Sequence, residues 1–239
     1  MKNIIILTPG LSGSSLLASL LVKAGYWQGD KTDKKLDYDT FENSGLVDIN
    51  RAILIEAGIG DCYQTQFDSN WFEVIKSIKN SGHQLPLQQF YQQCNEQPGW
   101  LWKDPRLWLT LGLWQEVIDS KQVKFILLHR DLEQLWVSCI KRRQIQSKAF
   151  CQHYDQQVCE AIRQQVSALD GELLELCFED LLLTPEESLS RLNDFLGAQL
   201  TVDDLAEAYK GRLGQRVHNR WSYLQALMIY LKNYSQRYR

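Results

Sequence analysis

Four short clusters in this chain carry the residue types that could do chemistry. Ser12-Gly13-Ser14-Ser15 follows an apolar run, Ile4 to Leu7, and a Pro9-Gly10 break. A small-residue loop of this kind aims several unpaired backbone N–H groups at one place, and a helix starting inside it adds partial positive charge. A phosphate or sulfate is the natural occupant, with the Ser14 and Ser15 hydroxyls as further donors; the same serines would also serve simply to cap the helix. Phe41-Glu42-Asn43 offers a carboxylate, of a kind that is most often an exposed loop residue. Lys103-Asp104-Pro105-Arg106 closes the run Trp100-Leu101-Trp102 with charge and a strand-breaking proline. Arg130 closes a third run, Val123 to Leu128, and Ser138 lies eight residues further on.

The elements that must position these clusters are legible in the apolar pattern. Ile4 to Leu7 reads as a strand buried on both faces, and Leu16, Leu17, Leu20 and Leu21 recur at helical spacing after it. The order is strand, loop, helix. Val123 to Leu128 followed by Leu132, Leu135, Trp136 and Ile140 repeats that order, placing Arg130 at a strand's carboxyl end and Ser138 two turns into a helix. Charged residues just past the carboxyl ends of parallel strands lie where open α/β sheets bind their ligands. Residues 26 to 38 have no apolar period and read as a loop. Leu46, Val47, Ile49, Ile53 and Leu54 mark a helix just after Glu42, and two short amphipathic helices are expected between Asn70 and Cys94. A long helix from Lys148 to Leu169, a strand from Leu173 to Phe178 and a helix from Pro185 to Leu196 follow, with Pro185 in a first turn and Gly197 at an end. The tail carries a basic glycine loop, Lys210 to Gly214, that could close over a ligand or be plain solvated surface, and an aromatic-rich helix around Trp221 and Tyr230.

Two familiar phosphate loops are excluded by residue. A nucleotide-triphosphate loop needs a lysine and then a hydroxyl residue after its last glycine, and no lysine follows Gly13. A dinucleotide fingerprint needs G-x-G-x-x-G, which Gly10 and Gly13 do not supply. An ordinary P-loop kinase is correspondingly a weak reading.

The segment Leu11 to Leu17 more closely resembles the 5′-phosphosulfate loop of sulfotransferases that use 3′-phosphoadenosine 5′-phosphosulfate, read R-S-G-T-S-L-L in bacterial members. Phe41-Glu42-Asn43, Trp102 to Arg106, Arg130 with Ser138, and Phe178-Glu179-Asp180-Leu181-Leu182 to Gly197 resemble further segments of that family in the same order. The resemblance implies an α/β fold, a single-domain parallel sheet flanked by helices across residues 1–239, with a P-loop-like sulfotransferase architecture. It implies a donor held at its 5′-phosphosulfate by Ser12, Gly13, Ser14, Ser15 and Leu16 and at its 3′-phosphate by Arg130 and Ser138, whose guanidinium fork suits a phosphate. Glu42 is then the candidate base for an acceptor hydroxyl or amine. No metal is called for, since backbone amides and a cation can neutralise the leaving phosphate.

One residue departs from the pattern: Leu11 stands where the family carries Arg or Lys. Lys103 is the nearest replacement by topology, unless Asp104 holds it as a structural pair. If nothing replaces the cation, the alternative is a non-catalytic protein of the same fold that binds the nucleotide or serves in interactions.

Composition bounds the partners. A formal net charge of −3 argues against a nucleic-acid backbone or an anionic membrane as the main partner, so any basic site must be local. No apolar run approaches a membrane span, and the start reads into a strand rather than a signal, which leads to an expected cytoplasmic location. The six cysteines form no C-x-x-C pair and are expected as reduced thiols. The acceptor, whether small molecule, glycan, lipid or peptide, is not specified by these motifs.

Overall fold

A computed structural model describes residues 2–34, 39–78, 82 and 84–238. In chain order the elements are β1 (Asn3–Leu7), α1 (Ser14–Lys23), β2 (Thr32–Lys34), β3 (Asp39–Asn43), α2 (Ser44–Glu56), α3 (Asn70–Ser77) and α4 (Gln84–Asn95). They continue with β4 (Leu101–Lys103), α5 (Leu107–Trp114), β5 (Val123–His129), α6 (Leu132–Lys141) and α7 (Lys148–Ala168). The chain then runs through β6 (Glu172–Cys177), α8 (Phe178–Leu183), α9 (Pro185–Leu196), α10 (Val202–Ala208) and α11 (Arg220–Lys232).

Four strands form one parallel sheet in the order β4-β1-β5-β6. Successive side chains of a strand point to opposite faces, and β1 divides accordingly. Ile5 and Leu7 join Trp100, Trp102, Phe125 and Leu127 on one side, under α2, α4, α5 and α7. Ile4 and Ile6 join Leu101, Ile126 and Leu128 on the other, against α1, α8, α9 and α10. Both faces are therefore covered, as an all-parallel sheet requires. The chain leaves β1 for β4 on one side and returns to β5 on the other, so the carboxyl ends of these three strands frame the switch point of the sheet. A third cluster, built by α6, α11 and the start of α7, lies beside this end and receives Leu11 from the loop after β1.

Two elements differ from the sequence expectation. Residues 32–34 and 39–43 form an antiparallel hairpin rather than a loop, with Glu42 opposite Asp33, so Glu42 sits in β3. Polar bonds hold it: across the strands Thr32 Oγ1 donates to Asp39 (2.7 Å), and from the start of α2 Ser44 Oγ donates to Asp33 (3.0 Å). The part of the expected loop at 35–38 lies outside the described residues. Helix α5 was not foreseen, because it is apolar all round: Leu107, Trp108, Leu109, Leu111, Leu113 and Trp114 are all buried, and a fully buried helix shows no polar stripe. All six cysteines are free.

Candidate active site

The loop between β1 and α1 is built from left-handed backbone. Gly10, Leu11 and Gly13 have φ of 101°, 52° and 78°, which turns the chain sharply before the helix begins at Ser14. Gly13 is constrained twice, by that φ and because a Cβ there would lie 2.2 Å from the Phe178 ring. The amides of Ser14 and Ser15 open a helix and so have no intrahelical acceptor. Ser12 Oγ is buried and bonds Thr8 Oγ1, which makes it part of the loop's own bracing. The Leu16 amide is likewise committed, donating to Gly13 O (2.9 Å). From behind, Tyr154 Oη donates its one proton to Tyr63 O (2.7 Å) and also lies 3.2 Å from Pro9 O, and burial holds its phenol well above the ordinary range. The loop is thus clamped while its helix-opening end stays available.

This loop lines a cavity of 390 Å³ that also receives Glu42, Lys103, Arg130, Phe178 and Tyr209. Lys103, only 3% exposed, donates to Glu42 Oε1 (2.7 Å), Thr40 O (2.7 Å) and Ser15 Oγ (3.3 Å). Phe41, with φ of 58°, is a non-glycine residue in left-handed backbone. That kink lets the Thr40 carbonyl and the Glu42 carboxylate converge on one ammonium. The expected alternative, a Lys103–Asp104 pair, is not formed. Asp104 points the other way, into the core, where it accepts from Arg106 Nη1 (2.8 Å), Arg106 N (3.0 Å) and Asn50 Nδ2 (2.9 Å). Burial raises its pKa, opposed by Arg106 and Asn50. Adjacent residues of one segment therefore divide between cavity and frame.

Arg130, 9% exposed, donates from Nε to Glu179 Oε1 (2.8 Å) and from Nη1 to Ser138 Oγ (2.9 Å) and Leu11 O (3.2 Å). Its guanidinium lies over the Phe178 ring, 5.0 Å from the centroid. Nη2 is buried with no partner, so a side chain that lines the cavity keeps an unused donor. A buried donor without an acceptor is costly, and an anion would satisfy it. Ser138 Oγ also lies 2.9 Å from Gln134 O and 2.8 Å from His218 Nε2. With its proton on the Gln134 carbonyl, it accepts from Arg130 and from His218. Burial, and then Arg130 and Lys141, push His218 down to about 4.

The structure thus brings Glu42, Lys103 and Ser15 together, and Arg130, Ser138 and Leu11 together. Glu179, Gln134, His218, Tyr154 and Tyr63 were missed as site residues. Glu179 lies in a segment singled out only for its family resemblance, with no site role given to it. His218 lies in a stretch with no period and gave no signal. From the basic glycine loop, only the preceding Tyr209 lines the cavity among the described residues.

The sequence profile of the Sulfotransferase family matches residues 4–203. The chain belongs to the sulfotransferase family. No curated protein is similar enough in sequence to count as a match. Among solved structures, the sulfotransferase domain from the curacin biosynthetic pathway is similar with a TM-score of 0.55 at 21% identity, over 91% of this chain and 81% of that one. The sulfotransferase domain of the Synechococcus PCC 7002 olefin synthase gives a TM-score of 0.47 at 20% identity, over 94% and 84%. The first of these likenesses supports the fold, an α/β sandwich on a parallel sheet; family membership rests on the profile match and supports sulfuryl transfer in general.

Proposed function

We propose that this sulfotransferase takes its sulfuryl group from 3′-phosphoadenosine 5′-phosphosulfate and gives it to a hydroxyl or amine. The observation that carries the reading is that one cavity joins a helix-opening serine loop to two buried cations, Lys103 at one end and Arg130, with a donor in reserve, at the other. The loop amides and Ser15 would hold the phosphosulfate, and Arg130, braced by Ser138 and Glu179, the 3′-phosphate. Glu42 would take the acceptor's proton as its oxygen or nitrogen bonds to sulfur and the bond from sulfur to the phosphate oxygen breaks. Lys103 would neutralise the charge left on that oxygen, the work assigned in the family pattern to the residue at Leu11.

A specific observation favours a second reading. Leu11 is packed into the apolar cluster of α6 and α11, so the loop's usual cation has become a structural anchor, as in a protein that binds the nucleotide without transfer. Labelled donor offered with hydroxylated lipids, sugars, peptides and small metabolites separates the two. Label in an acceptor, lost in Lys103→Met, supports transfer; tight bisphosphate binding with no label transferred to any class supports the second.

A further inference from the structure

Helix α11 carries two neighbouring apolar stripes. Tyr223, Ala226, Leu227 and Tyr230 pack into the cluster around Trp136 of α6. Beside them Trp221, Leu224, Met228 and Leu231 recur at the spacing that aligns residues along a helix, and they are 49–62% exposed. Past the helix end Tyr234 and Tyr238 are partly exposed but turn to the covered side, against Tyr230 and Phe150. Helical geometry sets Arg220 and Lys232 on the two borders of the stripe. From residue 208 onward the sequence holds seven Lys or Arg and no Asp or Glu, in a chain whose net charge is −3. A locally basic stretch, with Arg216 of it paired to Asp131, therefore carries the uncovered apolar stripe.

We propose that α11 docks on an anionic lipid surface, with the Trp221–Leu231 stripe in the headgroup boundary and the basic border on the lipid phosphates. Apolar area with Trp and Tyr beside Lys and Arg is what holds a helix in that layer, and an anionic leaflet attracts each basic residue near it. No helix of the described residues is long and apolar enough to cross a membrane, so the contact is with the surface. A second copy of the chain is a poorer occupant. An antiparallel pair sets Arg220 against the partner's Lys232, a parallel pair sets like against like, and no acidic side chain of the tail relieves either. The docked helix would lie close to the cavity, since its covered face shares a cluster with Leu11 and His218, just before it, touches Ser138. The proposal does not depend on the identity of the donor.

Flotation of the full chain with vesicles tests it. The protein should float with phosphatidylcholine vesicles containing about a third phosphatidylglycerol and bind pure phosphatidylcholine roughly tenfold or more weakly. Leu224→Glu with Met228→Glu changes only exposed side chains, so the melting temperature should hold while anionic-vesicle binding falls roughly tenfold or more. Arg220→Gln with Lys232→Gln should weaken it by about tenfold and flatten its salt dependence. A native protein that stays in solution beside anionic vesicles overturns the proposal, as does binding that survives the double glutamate variant. Sedimentation showing a dimer that this variant dissociates would assign the stripe to a second copy and also overturn it.

Discussion

Lys103 and Arg130 stand at the carboxyl ends of strands on either side of β1, and they are held in different ways. Lys103 has three protons and three partners, so an arriving anion must replace one of them; the Ser15 contact, longest at 3.3 Å, is the weakest. Arg130 is fixed by Glu179, Ser138 and Leu11 O and still has Nη2 to give. An anion that reaches Nη2 costs Arg130 no existing bond. The guanidinium is thereby suited to hold a resident phosphate, whereas the ammonium, shared with a carboxylate, is suited to respond when charge develops. This division separates what each substitution should do.

The largest effect is expected from the carboxylate beside Lys103. Glu42→Gln keeps the shape and removes the proton acceptor, and turnover at saturating donor should fall by roughly 10² to 10⁴ while bisphosphate binding hardly moves. Turnover near the native rate would remove Glu42 from the reaction. Lys103→Met should lower turnover by roughly 10² to 10³, more than it lowers donor affinity, because the cation is asked to act on charge that appears in the transition state. Adding Leu11→Arg should restore part of that loss, provided the new side chain leaves the apolar cluster Leu11 now occupies.

At the other end a smaller and different change is expected. Arg130→Ala would strand Glu179, which is 3% exposed, and confuse binding with folding. Arg130→Lys keeps a charge for Glu179 but loses the fork. It should weaken 3′-phosphoadenosine 5′-phosphate by about 1.5 to 3 kcal/mol in calorimetry and affect AMP much less. The smallest effect concerns pH. His218 has a folded pKa of about 4 against an ordinary 6.5, so the unfolded chain takes up a proton across that window before the folded protein does. Its contribution to stability is complete above pH 6.5 and is lost as pH falls toward 4. Melting temperatures of His218→Gln should therefore decline less steeply across this range than those of the native protein.

The main strands and their ligand-facing carboxyl ends were legible because β1 and β5 are unbroken aliphatic runs followed by helical spacing, a pattern that buried parallel strands leave in any sequence, whereas the strand order that makes the switch point was not. Lys103 and Arg130 could be picked out for the same reason, since they sit at strand ends, while Glu42 was singled out by the family resemblance. Their partners could not. Whether Lys103 turns to Glu42 or to Asp104 depends on the left-handed kink at Phe41 and on the hairpin that carries Glu42, and residues 26–38 show no periodicity that would announce a hairpin. Helix α5 was hidden by complete burial, and Glu179 and His218 meet Arg130 and Ser138 only through contacts distant in sequence.

The central claim is that this cavity is built for a nucleotide carrying phosphates at both its 3′ and 5′ positions, held by Arg130 at one end and the serine loop at the other. Calorimetric titration of the native protein with 3′-phosphoadenosine 5′-phosphate and with AMP tests it most directly, because the two differ by the one group assigned to Arg130. The bisphosphate should bind more tightly by roughly tenfold or more, the value of one charge-assisted phosphate contact. Equal affinity for the two nucleotides, or binding of neither, would contradict the account.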